Sequence, residues 1–371
     1  MDRPGSVRQL KKYLGLIILF FLATNLFALP RFAMMEEVSC GSCHSYQGGG
    51  AARSLYGKEY VAESLVMMDI ALPWQQEESD FPLYVGLDTR YQMISKSDED
   101  LRHFPMQLAL YAGAEFGGFV AHAEVNRVLE EFRVTGGLRY EGLPLDTWIS
   151  VGREMPALGW RLDDHTVFTR GGNLNPLGLT EEGMPFTPYL EPPNLVEIGA
   201  SPLPGLELSV MIGTRFIDPV EMLDESAFNG LKASYTLSAG LISAQANYGL
   251  IREVDISVTS IAWGLTMNKL VYLGEYSTLE NAVDLSQSNL AILNQLSYRL
   301  FNGFDIIARY EFFDPEQTLL TGAITRGSLG VELFPIPGIE IKLSYRQSQL
   351  EFPDIILDPE GQLLGQIHFY L

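Results

Sequence analysis

Ile339-Glu340-Ile341-Lys342-Leu343-Ser344-Tyr345-Arg346 alternates an apolar with a polar side chain at every step. A period of two puts the two sets on opposite faces of an extended chain, so the stretch predicts a strand with one apolar and one polar face. Leu206, Leu208, Val210 and Ile212 alternate with Glu207 and Ser209 in the same way. Outward from these, similar runs fall near residues 82–93, 104–116, 118–129, 131–141, 145–154, 193–200, 229–239, 241–252, 256–267, 269–278, 289–300, 303–313, 324–334 and 364–371. Gly, Pro, Asn and Asp punctuate them, as turns require. With the two quoted stretches they make about sixteen strands.

Two architectures supply so many two-faced strands: a soluble sandwich or propeller, and a closed barrel in a membrane. A membrane barrel turns apolar side chains to lipid and polar ones to a wet lumen, uses strands of about 9–11 residues, and gathers aromatic residues near strand ends. These runs fit the barrel. Tyr310, Phe312, Phe313, Tyr345, Phe369 and Tyr370 sit where an aromatic girdle would lie, and Gly365 to Leu371 is an alternating closing strand. Pro156, Pro185, Pro188, Pro192 and Pro204 fall between runs and mark loops. The longest irregular stretch, Asn173 to Pro192, either folds into the pore or lies outside it. The expected fold is therefore all-β: a transmembrane antiparallel β-barrel of about sixteen strands over residues 76–371, preceded by a short α-helical segment over 29–75.

Ahead of that segment, Arg3, Arg8, Lys11 and Lys12 precede an apolar run from Leu14 to about Leu22, with Ala23 and Ala28 following. This is the pattern of a secretory signal peptide over 1–28, with an uncleaved anchor as the alternative. The chain has 46 acids against 25 bases, a formal charge of −21. Losing residues 1–28 removes Asp2 and those four bases, which moves the charge to −24. A surface that tracks nucleic-acid phosphates needs clustered Lys and Arg, and none occur beyond the N-terminus. Cationic partners suit the balance better.

Both cysteines of the chain lie in Cys40-Gly41-Ser42-Cys43-His44. This is the attachment spacing for haem c: two thiols bond the porphyrin while the adjacent imidazole reaches the iron. A disulfide or dithiol pair is the alternative, and it leaves the following His unexplained. Leu55, Tyr56, Tyr60, Leu65 and Met68 fall near helical spacing and predict a helix within 51–68 that ends at Met67 and Met68. A thioether there could be the sixth iron ligand; Met34, Met35 or a barrel histidine (His103, His122 or His165) are alternatives. Fewer than fifty residues bury too little surface to stand alone, so the barrel must cover the segment. Asp163, Asp164 and His165 form the densest ligand-like cluster in the barrel and read either as a divalent-cation site or as a solvated loop. Asp98, Glu99 and Asp100 read as an exposed turn.

Pro30-Arg31-Phe32-Ala33, Val38 to His44 and Leu55-Tyr56-Gly57-Lys58-Glu59-Tyr60 together resemble the opening of the fused monohaem cytochrome-porins of iron-oxidising bacteria and their relatives. Gly152 to Leu162 is similar to a strand-turn segment of phosphate-selective-type porins, and Phe334 to Glu340 is in the same style. Met34-Met35-Glu36-Glu37 departs from the pattern, placing acids where basic or polar residues are expected. The resemblance implies a barrel in the outer membrane of a Gram-negative bacterium. It also implies one covalent haem c at Cys40, Cys43 and His44, and electron exchange between an external donor or acceptor, such as iron ions, and a periplasmic c-type cytochrome or other soluble carrier. No catalytic acid or base is expected, only outer-sphere electron transfer. Two other readings stand beside it: a diffusion porin with the haem segment as plug or gate, and a sheath barrel around a separate multihaem cytochrome.

Overall fold

The computed structural model describes residues 30–36, 43–45, 52–54, 57, 65–68, 70, 83–96, 100–128, 131–160, 166–172, 183–184, 192–214, 227–239, 241–253, 256–280, 288–319, 322–351 and 358–371. Among the described residues sixteen strands follow one another: β1 (Leu83–Lys96), β2 (Arg102–Phe116), β3 (Phe119–Val128), β4 (Glu131–Leu143), β5 (Thr147–Arg153), β6 (Asn194–Leu203), β7 (Leu206–Thr214) and β8 (Ala227–Ala239) form the first half. The second half is β9 (Ile242–Glu253), β10 (Ile256–Met267), β11 (Leu270–Glu280), β12 (Ser288–Phe301), β13 (Phe304–Asp314), β14 (Ile324–Leu333), β15 (Ile339–Leu350) and β16 (Glu360–Tyr370). Each pairs antiparallel with its neighbours, and β1 pairs with β16 from Asp88↔Tyr370 to Lys96↔Gln362, which closes the sheet. Closure leaves no edge of unpaired peptide groups, the condition for strands to span lipid.

Every run expected from alternation is a strand. In β7, Leu208, Val210 and Ile212 face out and are exposed, while Glu207, Ser209 and Met211 face in and are buried. In β15, Leu343 and Tyr345 face out and Glu340 and Arg346 face in. The girdle expectation needs one correction. Tyr310 and Tyr345 are exposed on the outer face, but Phe313 and Tyr370 are buried and point inward. Parity is the reason: Phe313 shares the inward face with Glu311, and Tyr370 with His368.

One rim carries tight turns. Gly205 and Gly303 turn with φ of 78° and 78°, where a side chain would be strained. The other rim carries the longer connections, above all 154–193. In outer-membrane barrels tight turns face the periplasm and long loops the exterior. A seven-residue helix, α1 (Pro30–Glu36), lies before the sheet. Pro30 sits at its first position, where a missing N–H costs nothing. So short a helix is marginal alone and depends on what it packs against.

Candidate functional site

The lumen is filled from both ends. At the tight-turn end, α1 lies against β9, β10 and β11. Met34 is buried with Trp160, Ala262, Val271 and Leu273, and its carbonyl accepts from Ser243 Oγ at 3.2 Å. Arg31 is buried and pairs with Glu332 of β14 and, at 3.5 Å, with Asp305 of β13. Burial alone would lower the Arg31 pKa, but the facing carboxylates outweigh it and leave the pKa raised, so this guanidinium stays charged.

Cys43 is buried and His44 half-buried. Their backbone is clamped to residues 52–54: His44 bridges Arg53, Ser45 N donates to Ala52 O at 3.1 Å, and Ser54 N donates to Cys43 O at 3.1 Å. Ser45 and Tyr84 of β1 share a hydrogen bond of 2.5 Å, which ties this clamp to the wall. A Cβ on Gly57 would strike the Cys43 carbonyl, so only glycine lets the chain pass there. Arg53 stacks over Tyr370 at 4.3 Å and pairs with Asp88 at 3.8 Å. A buried thiol beside an imidazole whose Nδ1 is enclosed suits a covalently held porphyrin in its donor chemistry. Cys40 lies outside the described residues.

The helix expected within 51–68 reaches neither end: Gly57 is helical and its N–H donates to Ser54 Oγ at 3.0 Å, but residues 52–54 are extended and 65–68 bend. Backbone pairing wins there over side-chain spacing. Met67 N donates to Phe334 O at 2.8 Å and Met68 N to Pro335 O at 3.2 Å, which pins this stretch to the β14–β15 turn. Leu65 and Val66 bury against Phe334 and Tyr370, whereas Met67 is 37% and Met68 53% exposed at the rim. Of the other two thioethers proposed, Met34 is packed against Trp160 and Gly264, and Met35 is partly buried against the same cluster. Among the histidines, His103 bonds Tyr91 near the long-loop rim, and His122 Nε2 lies 2.8 Å from Glu154. Asp163, Asp164 and His165 lie outside the described residues, as do Asp98 and Glu99; Asp100 is exposed. Among the described residues no three His, Cys, Asp or Glu side chains are grouped to hold a metal ion.

From the other end, the described parts of the β5–β6 connection fold into the lumen. Leu158, Phe168 and Met184 bury against inward-facing Leu195, Met211, Phe228, Ile251, Val258, Leu279, Ala291 and Phe313. Two buried arginine–glutamate pairs fix the loop. Arg170 donates to both oxygens of Glu275 at 3.1 Å, and Trp160 N donates to Glu275 Oε2 at 2.8 Å. Arg326 donates to both oxygens of Glu311 at 2.9 and 3.0 Å and to Thr166 O, and Phe168 N donates to Glu311 Oε1 at 2.9 Å. The Trp160 indole reaches Gly274 O at 2.9 Å and meets Met34, so loop and N-terminal segment touch. Glu197 and Glu275 are 0% exposed, which a wall facing a wide water channel would not allow.

His368 is the lumenal histidine that the sequence reading passed over. Its Nδ1 is 2.7 Å from Glu340 and its Nε2 3.0 Å from Asp88. Its place in the alternation of β16, on the face of Gln362 and Gln366, was the available signal.

Fold and site together define a closed sixteen-stranded barrel of porin type with an occupied lumen. No protein-family model matches the sequence, and no curated protein does. Among solved structures, the barrel is similar to OmpT of Vibrio cholerae, with 12% identity, TM-score 0.54, and coverage of 80% of this chain and 99% of that one. It is similar to OprB of Pseudomonas putida, with 8% identity, TM-score 0.58, and coverage of 78% and 94%. It is also similar to an anion-selective porin from Comamonas acidovorans, with 11% identity, TM-score 0.53, and coverage of 78% and 99%. At such identities the likeness is one of fold, and the fold is that of outer-membrane porins.

Proposed function

We propose that the chain resides in the outer membrane and carries electrons through one haem c held in its lumen by residues 29–75. The observation that carries this reading is the Cys40–His44 motif together with the lumenal clamp on Cys43 and His44. Bound haem c supplies reversible one-electron chemistry at its iron. Cys40 and Cys43 hold it and His44 ligates it. Ser45 and Arg53 orient the motif against β1 and β16, and the β5–β6 loop keeps water from the lumen above. A soluble electron carrier on one side and an external donor or acceptor, metal ions included, on the other are the partners this chemistry calls for.

Reduced-minus-oxidised absorption of the purified protein, with transmembrane electron transfer in liposomes, tests it. The expected result is one haem per chain, and loss of both signals in Cys43→Ala. Unchanged transfer in that variant refutes the reading. A second reading, a diffusion porin with residues 29–75 as plug or gate, is favoured by the likeness to porins, an anion-selective one among them. Planar-bilayer conductance separates the two: a large ion current independent of haem supports the porin.

A further inference from the structure

The two arginines of the N-terminal segment meet the wall on one belt of charge, Arg53 near its start and Arg31 as the link between its last two acids. The belt starts at Arg90 and Asp88 on β1, 3.3 Å apart, and crosses the closing seam to His368 on β16 at 3.0 Å. From His368 it passes to Glu340 on β15 at 2.7 Å, then to Lys342 at 3.2 Å, then to Glu332 on β14 at 3.9 Å. Arg31 joins Glu332 to Asp305 on β13, and Asp305 is held by Arg299 of β12 at 3.0 Å. Signs alternate along the belt, and each wall member named lies on the inward face. Arg53 docks at Asp88 and Arg31 at Glu332 and Asp305.

We infer that this belt is a built receptor for the chain's own N-terminal segment, and that closing the β1–β16 seam is what completes it. Asp88 and His368 stand on strands brought together only by that closure, in the register Arg90↔His368. An open sheet would offer Arg31 its carboxylates on β13 and β14 but would leave Asp88 without the histidine that fixes it for Arg53. Docking of residues 43–45 and 52–54 is thereby made conditional on a finished barrel, while α1 can seat earlier. His368 touches neither arginine; it is a positioning residue that acts through Asp88. Buried pairs of this kind contribute little net stability against apolar packing, but removing one partner strands the other in a dry site, which makes them selective for the docked arrangement.

The inference rests on reading residues 29–75 as a lumenal plug. It is tested on the full-length protein in detergent by the rate at which proteinase K trims the N-terminal segment, with cut sites mapped by mass spectrometry. Heat-modifiable gel mobility reports the intact barrel independently. Asp88→Asn and Arg31→Glu should each raise the trimming rate by on the order of 100-fold. His368→Leu should open cuts within 43–54 while leaving 30–36 protected, and the charge swap Arg31→Glu with Glu332→Arg should restore protection. Wild-type protein trimmed at once would remove the plug reading itself. A protected wild type with equally protected, intact variants would overturn the receptor and leave the plug standing.

Discussion

Replacing Glu275 with alanine is the sharpest test of whether the β5–β6 loop is locked in the lumen. The carboxylate holds both Arg170 Nη atoms at 3.1 Å and the Trp160 amide at 2.8 Å, and it accepts from Ser277 at 3.0 Å and Ser260 at 3.3 Å. Its removal leaves Arg170, 4% exposed, without its counter-charge. Breaking a buried pair from one side costs about 3–5 kcal/mol, and the orphaned Trp160 amide adds roughly 1–3 kcal/mol. The loop can avoid these costs by leaving the lumen, which forfeits burial of Leu158, Phe168 and Met184 at about 1.5–3 kcal/mol each. The two totals are of similar size, so docked and undocked loops should become comparably populated. With Trp74, Trp148 and Trp263 replaced by Phe, acrylamide quenching of Trp160 reads the change directly: weak in the parent, several-fold stronger in Glu275→Ala. Planar-bilayer conductance should rise in parallel. Pairing Glu275→Leu with Arg170→Met should restore shielding, since an apolar pair needs no counter-charge. Unchanged quenching and conductance in an intact Glu275→Ala barrel would refute the lock.

Two further outcomes follow from the geometry. Gly57→Ala should lower haem loading per barrel several-fold, read by pyridine haemochrome absorbance, with heat-modifiable mobility unchanged, because the new methyl group meets the Cys43 backbone rather than a movable side chain. Val210→Arg on the exposed outer face of β7 should cost about 2–4 kcal/mol of stability in reversible urea unfolding from lipid vesicles; a shift inside the error of the measurement would mean that this face does not meet hydrocarbon.

The barrel was legible because every strand has two unlike faces, and alternation survives without knowledge of neighbours. All sixteen expected runs are strands in the closed sheet. Misplacing Phe313 and Tyr370 in the girdle came from reading position along a strand without parity; counting from Glu311 or Gln366 assigns both to the lumen. The helix expected within 51–68 is helical at Gly57 but stops short of Met67 and Met68, for a different reason. Spacing of Leu55, Tyr56, Tyr60, Leu65 and Met68 is a local signal, whereas residues 52–54 and 67–68 take their hydrogen bonds from Cys43 to Ser45 and from the β14–β15 turn. Such partners are invisible in a local window. The Cys-x-x-Cys-His spacing was plain, but the side chains that seat it, Arg53, Tyr84, Asp88 and His368, are brought together only by barrel closure.

Placement also changes what the acidic surplus means. From composition alone, 46 acids against 25 bases suggest a lumen that concentrates cations. Inside the barrel, however, Asp88 faces Arg90, Arg53 and His368, Glu332 and Asp305 face Arg31, Glu275 faces Arg170, and Glu311 faces Arg326. Each of these carboxylates is already spent on an internal cation that holds the N-terminal segment, the loop or the seam. Their field is cancelled within a few ångströms, so they cannot also act as a sink for solute cations. Attraction of a cationic partner must come from exposed acids at the rims, such as Asp100, Glu280 and Asp358 beside the long loops and Glu141 and Asp146 beside the tight turns. Rim charges in water are screened over about 8–10 Å at ordinary ionic strength. Association with a basic carrier should therefore weaken steeply with added salt, while the docked N-terminal segment, held by pairs the salt cannot reach, should not.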